Sequence, residues 1–142
     1  DVGLICYSPL AQGLLTGRYA SADEVPDGLA RTRWYHKDRA MAKHGEDGCE
    51  EEVFEALATI REICDGLGQQ MATVSLTWVR QQLGVTSVLV GSRSPEELSW
   101  NTPAFDLKLE EDVIGELSAA TEVVKGKIGL NPDPWMVPSR MR

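Results

Sequence analysis

The chain has 142 residues, 42% of them hydrophobic and 25% charged. That is enough for one cored domain, too little for two, and outside the composition of disordered chains. A formal net charge of -8 excludes a general nucleic-acid or polyanion binder, so any anion site must be a local gathering of basic groups. No apolar run approaches the roughly 18 residues of a membrane span, and nothing reads as a charged-then-apolar leader. Cys6, Cys49 and Cys64 are odd in number and form no CxxC pair. The expectation is a cytoplasmic protein with no membrane association, no metal site, and three reduced thiols, two of them core fillers.

The first element is Leu4-Ile5-Cys6-Tyr7, apolar on both faces as a parallel strand covered on each side should be. The chain begins without an initiator Met and enters this strand almost at once, which reads as the C-terminal part of a longer protein. From Pro9 to about Gly48 no periodicity emerges. A stretch of that length is a lid, a binding loop or a disordered segment, and residues 20 to 45 are expected to close over a bound ligand. Arg33, Lys37 and Arg39 are expected to be surface charges on this mobile loop. His36 and His44 have neither carboxylate partners nor ligand spacing, so neither is given a catalytic or metal role.

Val53, Leu57, Ile60, Cys64 and Leu67 fall on one face of an amphipathic helix that opens on Glu50-Glu51-Glu52 and stops at Gly66 and Gly68. A second helix is expected from a Thr73 N-cap to Leu83, stopped by Gly84. Val85 to Gly91 is a second strand. Ser94-Pro95-Glu96-Glu97 is a capping box with Pro at the first helical position, opening a short helix closed by Asn101-Thr-Pro103. A last helix is expected over Glu110 to Val123, presenting Val113, Ile114, Leu117 and Ala120. Residues 126–142, holding three prolines, read as an extended tail that lies on another surface or is free.

Strand, loop, two helices, strand and further helices make a βα repeat of the α/β class. A two-stranded parallel sheet is not a stable domain, so the remaining strands are expected from upstream sequence or from another chain. In such repeats, ligands bind at the carboxyl ends of the strands. The first strand ends in Ser8, Pro9, Leu10, Gln12, Gly13, Gly17 and Arg18. The second ends in Gly91, Ser92, Arg93 and Ser94 and feeds a helix start suited to phosphate.

Tyr7-Ser-Pro-Leu-Ala-Gln-Gly-Leu-Leu-Thr-Gly-Arg-Tyr19 and Val90-Gly-Ser-Arg-Ser-Pro-Glu-Glu-Leu-Ser-Trp-Asn101 resemble the two cofactor loops of the aldo-keto reductases. The likeness is nearer to the bacterial and potassium-channel β-subunit-like branch, and it covers nearly the whole chain. It implies a (β/α)8 TIM barrel of about 300 residues, of which this chain supplies strands 7 and 8 as the cofactor-binding C-terminal portion of a single domain spanning 1–142. It also implies NADPH-dependent reduction of an aldehyde or ketone, a small-molecule carbonyl substrate. By position, Tyr7 would lie by the nicotinamide, and Ser8, Pro9, Leu10, Gln12 and Gly13 would follow the pyrophosphate. Arg18 and Arg31 would reach phosphates. Gly91, Ser92 and Arg93 would surround the adenosine 2′-phosphate, with Glu97 and Asn101 near the adenine. Two positions depart from the family pattern: Glu97 stands where Gln is common, and Trp100 where Glu is common. The departures leave the strictness of NADP over NAD open.

The family's catalytic Tyr, Lys, Asp and His come from the first half of its barrel, and no catalytic residue is assigned here. The leading reading is therefore a segment of an NADP-dependent oxidoreductase, inactive alone. Two rivals stand beside it. One is a truncated, non-catalytic nucleotide-binding module that docks on another barrel or a channel subunit. The other is a fragment that never folds.

Overall fold

Short branched runs make strands here, and 3.6-residue apolar repeats make helices, in an order close to the one expected. The computed structural model describes residues 2–131 and 133–140. Asp1, with which the chain opens, and Pro132, Met141 and Arg142 of the expected tail lie outside the described residues. The chain divides into two units, Asp1–Arg18 with Ile60–Leu117 and Tyr19–Thr59 with Ser118–Arg142.

In the first unit, β1 (Leu4–Tyr7) pairs in parallel with β2 (Val85–Leu89), with Ile5 opposite Ser87, Cys6 opposite Val88 and Tyr7 opposite Leu89. Both strands run the same way and end level, so the loops that follow them leave from one edge. The expectation that β1 is covered on each side is corrected. Ile5 is 64% and Tyr7 60% exposed, because the sheet among the described residues has only these two strands.

α1 (Glu50–Gly66) carries the expected apolar face: Val53, Leu57, Ile60 and Cys64 are all buried. Its end is a Schellman motif. Gly68 adopts φ +62°, its N–H reaches the Asp65 carbonyl, and the Gln69 N–H reaches that of Cys64. α2 (Met71–Arg80) starts before Thr73, which is a buried interior residue. Gln70 is the extended N-cap, and burying Met71 in the first turn sets the start. The helix stops short of Leu83, which is fully exposed.

The polar residues of α2 fasten the segment after it. The Thr77 hydroxyl donates to the carbonyls of Thr73 and Ala104, and Arg80 donates to those of Ala104 and Leu107. β2 ends at Leu89, two residues before the expected Gly91. α3 (Pro95–Asn101) follows, with Ser94 as N-cap.

The single final helix is also corrected. α4 (Glu111–Ala120) and α5 (Glu122–Ile128) are separated at Thr121, whose hydroxyl turns back to the Ser118 carbonyl at 3.0 Å. Gly126 is inside α5, so irregular chain starts at Gly129 rather than at 126.

In the second unit, the chain before α1 has a single short 3-10 turn, Ala22–Glu24, and is organised by charge instead. Arg33, expected at the surface, is 4% exposed and holds Glu46 together with the carbonyls of Ile128, Asn131 and Asp133. Arg39 is likewise engaged, by both oxygens of Glu50 and by Asp23. Lys37 is exposed, paired with Asp47. His36 does have carboxylates nearby, Asp38 at 3.3 Å and Asp47 at 3.6 Å, because the loop folds back on itself. The tail after Gly129 is tied down by Arg33 and by the pairing of Asp133 with Arg140. Among the described residues, no helix is long and apolar enough to cross a membrane, and no three His, Cys, Asp or Glu gather as metal ligands.

Candidate functional site at the strand tips

The loop after β1 turns sharply. Ser8, Ala11 and Gln12 adopt φ of 52°, 49° and 59°, and Gly13 and Gly17 follow at 92° and 74°. Left-handed backbone at non-glycine residues costs on the order of 1 kcal/mol each. It persists here because the loop is held from within. The buried Leu14 anchors the 3-10 turn Ala11–Thr16, the Thr16 hydroxyl donates to the Gly13 carbonyl at 2.6 Å, and the Gln12 amide reaches the Ser8 hydroxyl at 3.4 Å. Nothing in Ser, Ala or Gln as residue types announces that conformation. Only the glycines did. Pro9 and Leu10 are partly covered within this loop, and Arg18 at its end is exposed.

After β2, Gly91, Ser92 and Arg93 are exposed. The Asn101 amide donates to the Ser92 hydroxyl at 3.2 Å, drawing the end of α3 back to the strand tip. Ser94 accepts the Glu97 N–H at 3.2 Å, the expected half of the capping box. The other half is shifted by one residue. The Glu97 carboxylate accepts the N–H of Arg93 at 2.8 Å instead of that of Ser94, and also takes the Arg93 guanidinium, Nη2 to Oε1 at 2.6 Å. Arg93, and behind it the charge of Arg18, hold the Glu97 carboxyl below the usual carboxylate range.

The loops after β1 and β2 leave from one edge of the sheet, where Tyr7 stands opposite Leu89, and they carry Arg18 and the Arg93–Glu97 pair. All of the expected site residues except Arg31 belong to this first unit. Arg31 belongs to the second, where its guanidinium stacks over the Trp135 ring at 5.2 Å. Tyr7 and Trp100 stand exposed at the strand tip and on α3. A cleft of about 430 Å3 in the first unit, which no motif in the sequence marks, is lined by Thr16, Gly17, Arg61, Asp65, Gln69 and Met71 among others. Burial pushes the Cys64 thiol at its wall up to about 11.

Comparison with known proteins identifies the family. The model of the aldo/keto reductase family matches residues 1–122. The chain belongs to that family.

It is 35% identical over 105 residues to the L-glyceraldehyde 3-phosphate reductase of Escherichia coli O157:H7, covering 74% of this chain and 29% of that protein. It is 31% identical over 122 residues to Protein tas of Escherichia coli K12, covering 86% of this chain and 33% of that protein. Identity to the NADH-specific methylglyoxal reductase of the same strain is 28% over 114 residues, 78% of this chain and 32% of the relative. The chain spans about a third of the length of these curated relatives. An aldo/keto reductase implies a (β/α)8 barrel, and two parallel strands with their helices fit an incomplete one.

Proposed function

We propose that this chain is the cofactor-binding portion of a nicotinamide-dependent reductase that converts an aldehyde or ketone to an alcohol. The observation that carries the reading is that Arg18 and Arg93 sit on the loops leaving two parallel strands that end level, in a chain of this family. The residues fit a dinucleotide. A strained, self-braced loop brings backbone close to whatever lies above β1, and two guanidinium groups supply donors for phosphate at that edge, one of them paired with Glu97. Ser8, Pro9, Leu10, Gln12 and Gly13 would follow the pyrophosphate, Tyr7 would face the nicotinamide, and Gly91, Ser92, Arg93 and Asn101 would enclose the adenosine end.

The bound dinucleotide supplies hydride. This chain's own residues bind and orient it, and the acid that protonates the carbonyl oxygen comes from strands outside these 142 residues. NADPH is the cofactor expected from the motifs, although one relative is named NADH-specific.

The test is titration of NADPH into the protein with its barrel complete, alongside Arg18→Ala and Arg93→Ala. Weaker binding in both variants is expected, and unchanged affinity in both overturns the assignment. A second reading, a non-catalytic nucleotide-binding module, has one observation in its favour. Leu4, Ile5, Tyr7 and Leu89 are more than half exposed on the two strands, a surface that another chain's strands would cover as well as its own. Turnover of a simple aldehyde by the complete protein separates the two.

A further inference from the structure

Resting on that cofactor reading, we infer that Glu97 sets the discrimination between phosphorylated and unphosphorylated dinucleotide, and that it acts against the phosphate. Arg93 is the exposed cation at the tip of β2, its side chain 77% accessible, where an adenosine 2′-phosphate would be caught. Its guanidinium is already met by a carboxylate: Nη2 lies 2.6 Å from Oε1 of Glu97, and Nε lies 3.2 Å from the same oxygen.

The carboxylate is held there independently of the guanidinium. Oε2 accepts the Arg93 backbone N–H at 2.8 Å, and the backbone of Glu97 is pinned by its own N–H bond to the Ser94 hydroxyl. The Glu97 side chain is 24% exposed against 77% for Arg93, so the carboxylate is the better-covered member of the pair.

A phosphate monoester arriving at Arg93 therefore meets a negative charge within one hydrogen-bonded ring of its own oxygens. The carboxylate also offsets the positive charge that Arg18 and Arg93 would otherwise present together. A ribose 2′-hydroxyl has the opposite relation to it. Neutral and able to donate, the hydroxyl suits a carboxylate acceptor. A glutamine at position 97 keeps the acceptor oxygen for the Arg93 N–H and removes the charge.

The experiment titrates NADPH and NADH into the protein with its barrel complete, as wild type, Glu97→Gln, Glu97→Ala and Arg93→Ala, with thermal melting of each. Glu97→Gln is expected to tighten NADPH by about tenfold, the effect of removing one facing charge at a partly solvated site, while NADH changes by less than about twofold. Glu97→Ala is expected to move the affinity ratio in the same direction. A ratio that stays within twofold in both glutamate variants, while Arg93→Ala weakens NADPH, overturns this inference and leaves the cofactor site standing. If Arg93→Ala and Arg18→Ala change neither affinity, the site assignment falls and this inference falls with it.

Discussion

Arg33 grips Glu46 with two parallel hydrogen bonds, Nε to Oε2 at 2.7 Å and Nη2 to Oε1 at 3.2 Å, from a position only 4% exposed. Its remaining donors go to the carbonyls of Ile128, Asn131 and Asp133. One guanidinium fork thus ties three parts of the second unit together: the loop around residue 33, the stretch before α1, and the chain leaving α5. An arginine suits this because five donors in a rigid plane can serve a carboxylate and several carbonyls at once.

Replacing Arg33 by Met should destabilise this unit by about 3 kcal/mol, since the carbonyls lose their donors and Glu46 its partner. Glu46 is 37% exposed, so water partly covers the carboxylate and keeps the cost from rising further. Arg33→Lys retains the charge but not the fork and should recover less than half of the loss. Urea denaturation of the three proteins, followed by tryptophan fluorescence, measures both differences. A lysine variant as stable as wild type would show that charge, not geometry, is what matters there.

Gly45 and Gly48 make a controlled pair in the same loop, at φ +75° and +73°. A Cβ at Gly45 meets nothing within 4 Å, whereas one at Gly48 runs into the backbone carbonyl of Tyr35 and stands 2.9 Å from that of Trp34. Gly45→Ala should therefore cost about 1 kcal/mol, the left-handed backbone penalty alone. Gly48→Ala should cost several times as much, because backbone has to move and the Cys49 N–H bond to the Trp34 carbonyl at 2.9 Å lies in the path. Equal melting temperatures for the two variants would contradict the close approach.

What the amino-acid pattern revealed was periodic or glycine-marked. Val53, Leu57, Ile60 and Cys64 repeat with the helix, and all are buried in α1. Ser94 and Pro95 announce the start of α3 because capping is local chemistry. The strand tips were legible because glycines and an arginine follow branched residues. Arg33 was not, since its partners are main-chain carbonyls such as that of Asn131, 98 residues along the chain, and any residue type carries a carbonyl. The positive φ of Ala11 and Gln12 was hidden for a similar reason: the strain is imposed by the closed loop and not by those side chains. The break at Thr121 goes with a tighter local turn, its N–H reaching the Ser118 carbonyl at 3.3 Å, and no residue type marks that in advance.

Gln81 offers a different kind of test in the first unit. Its amide pairs with the backbone of the buried Leu109 as a neighbouring strand would, Nε2 donating to the carbonyl at 3.0 Å and Oε1 accepting the N–H at 2.8 Å. Gln81→Leu should cost about 2 kcal/mol by leaving both groups of Leu109 unpaired. Gln81→Glu replaces the donor with a second oxygen facing a carbonyl. The new carboxyl would bind its proton more tightly in the folded state, so the variant should gain stability relative to wild type as pH falls toward 5. A difference independent of pH would mean that the side chain has turned away.

Asp133 predicts the behaviour of the second unit in acid. Its buried carboxylate accepts the N–H of Trp135 at 2.9 Å and of Arg140 at 3.0 Å, and Arg140 Nε and Nη2 at 2.8 and 3.0 Å. The Arg140 side chain is the foremost cause, with these backbone N–H groups behind it, holding the carboxyl well below the usual carboxylate range. Since the folded form releases the proton more readily than the unfolded chain, this stabilisation is complete above pH 3.8 and drains away as pH falls below it. Glu50, held down chiefly by Arg39, adds a second loss just below the ordinary glutamate value of 4.5. Asp133→Asn removes the first of these dependences while keeping one acceptor oxygen. The variant should therefore be less stable than wild type at pH 7, with the gap closing as pH is lowered from 4 to 2. Urea midpoints across that range, read through Trp135, decide it: a gap that stays constant would show that Asp133 is not ionised in the folded protein, or that Arg140 does not hold it.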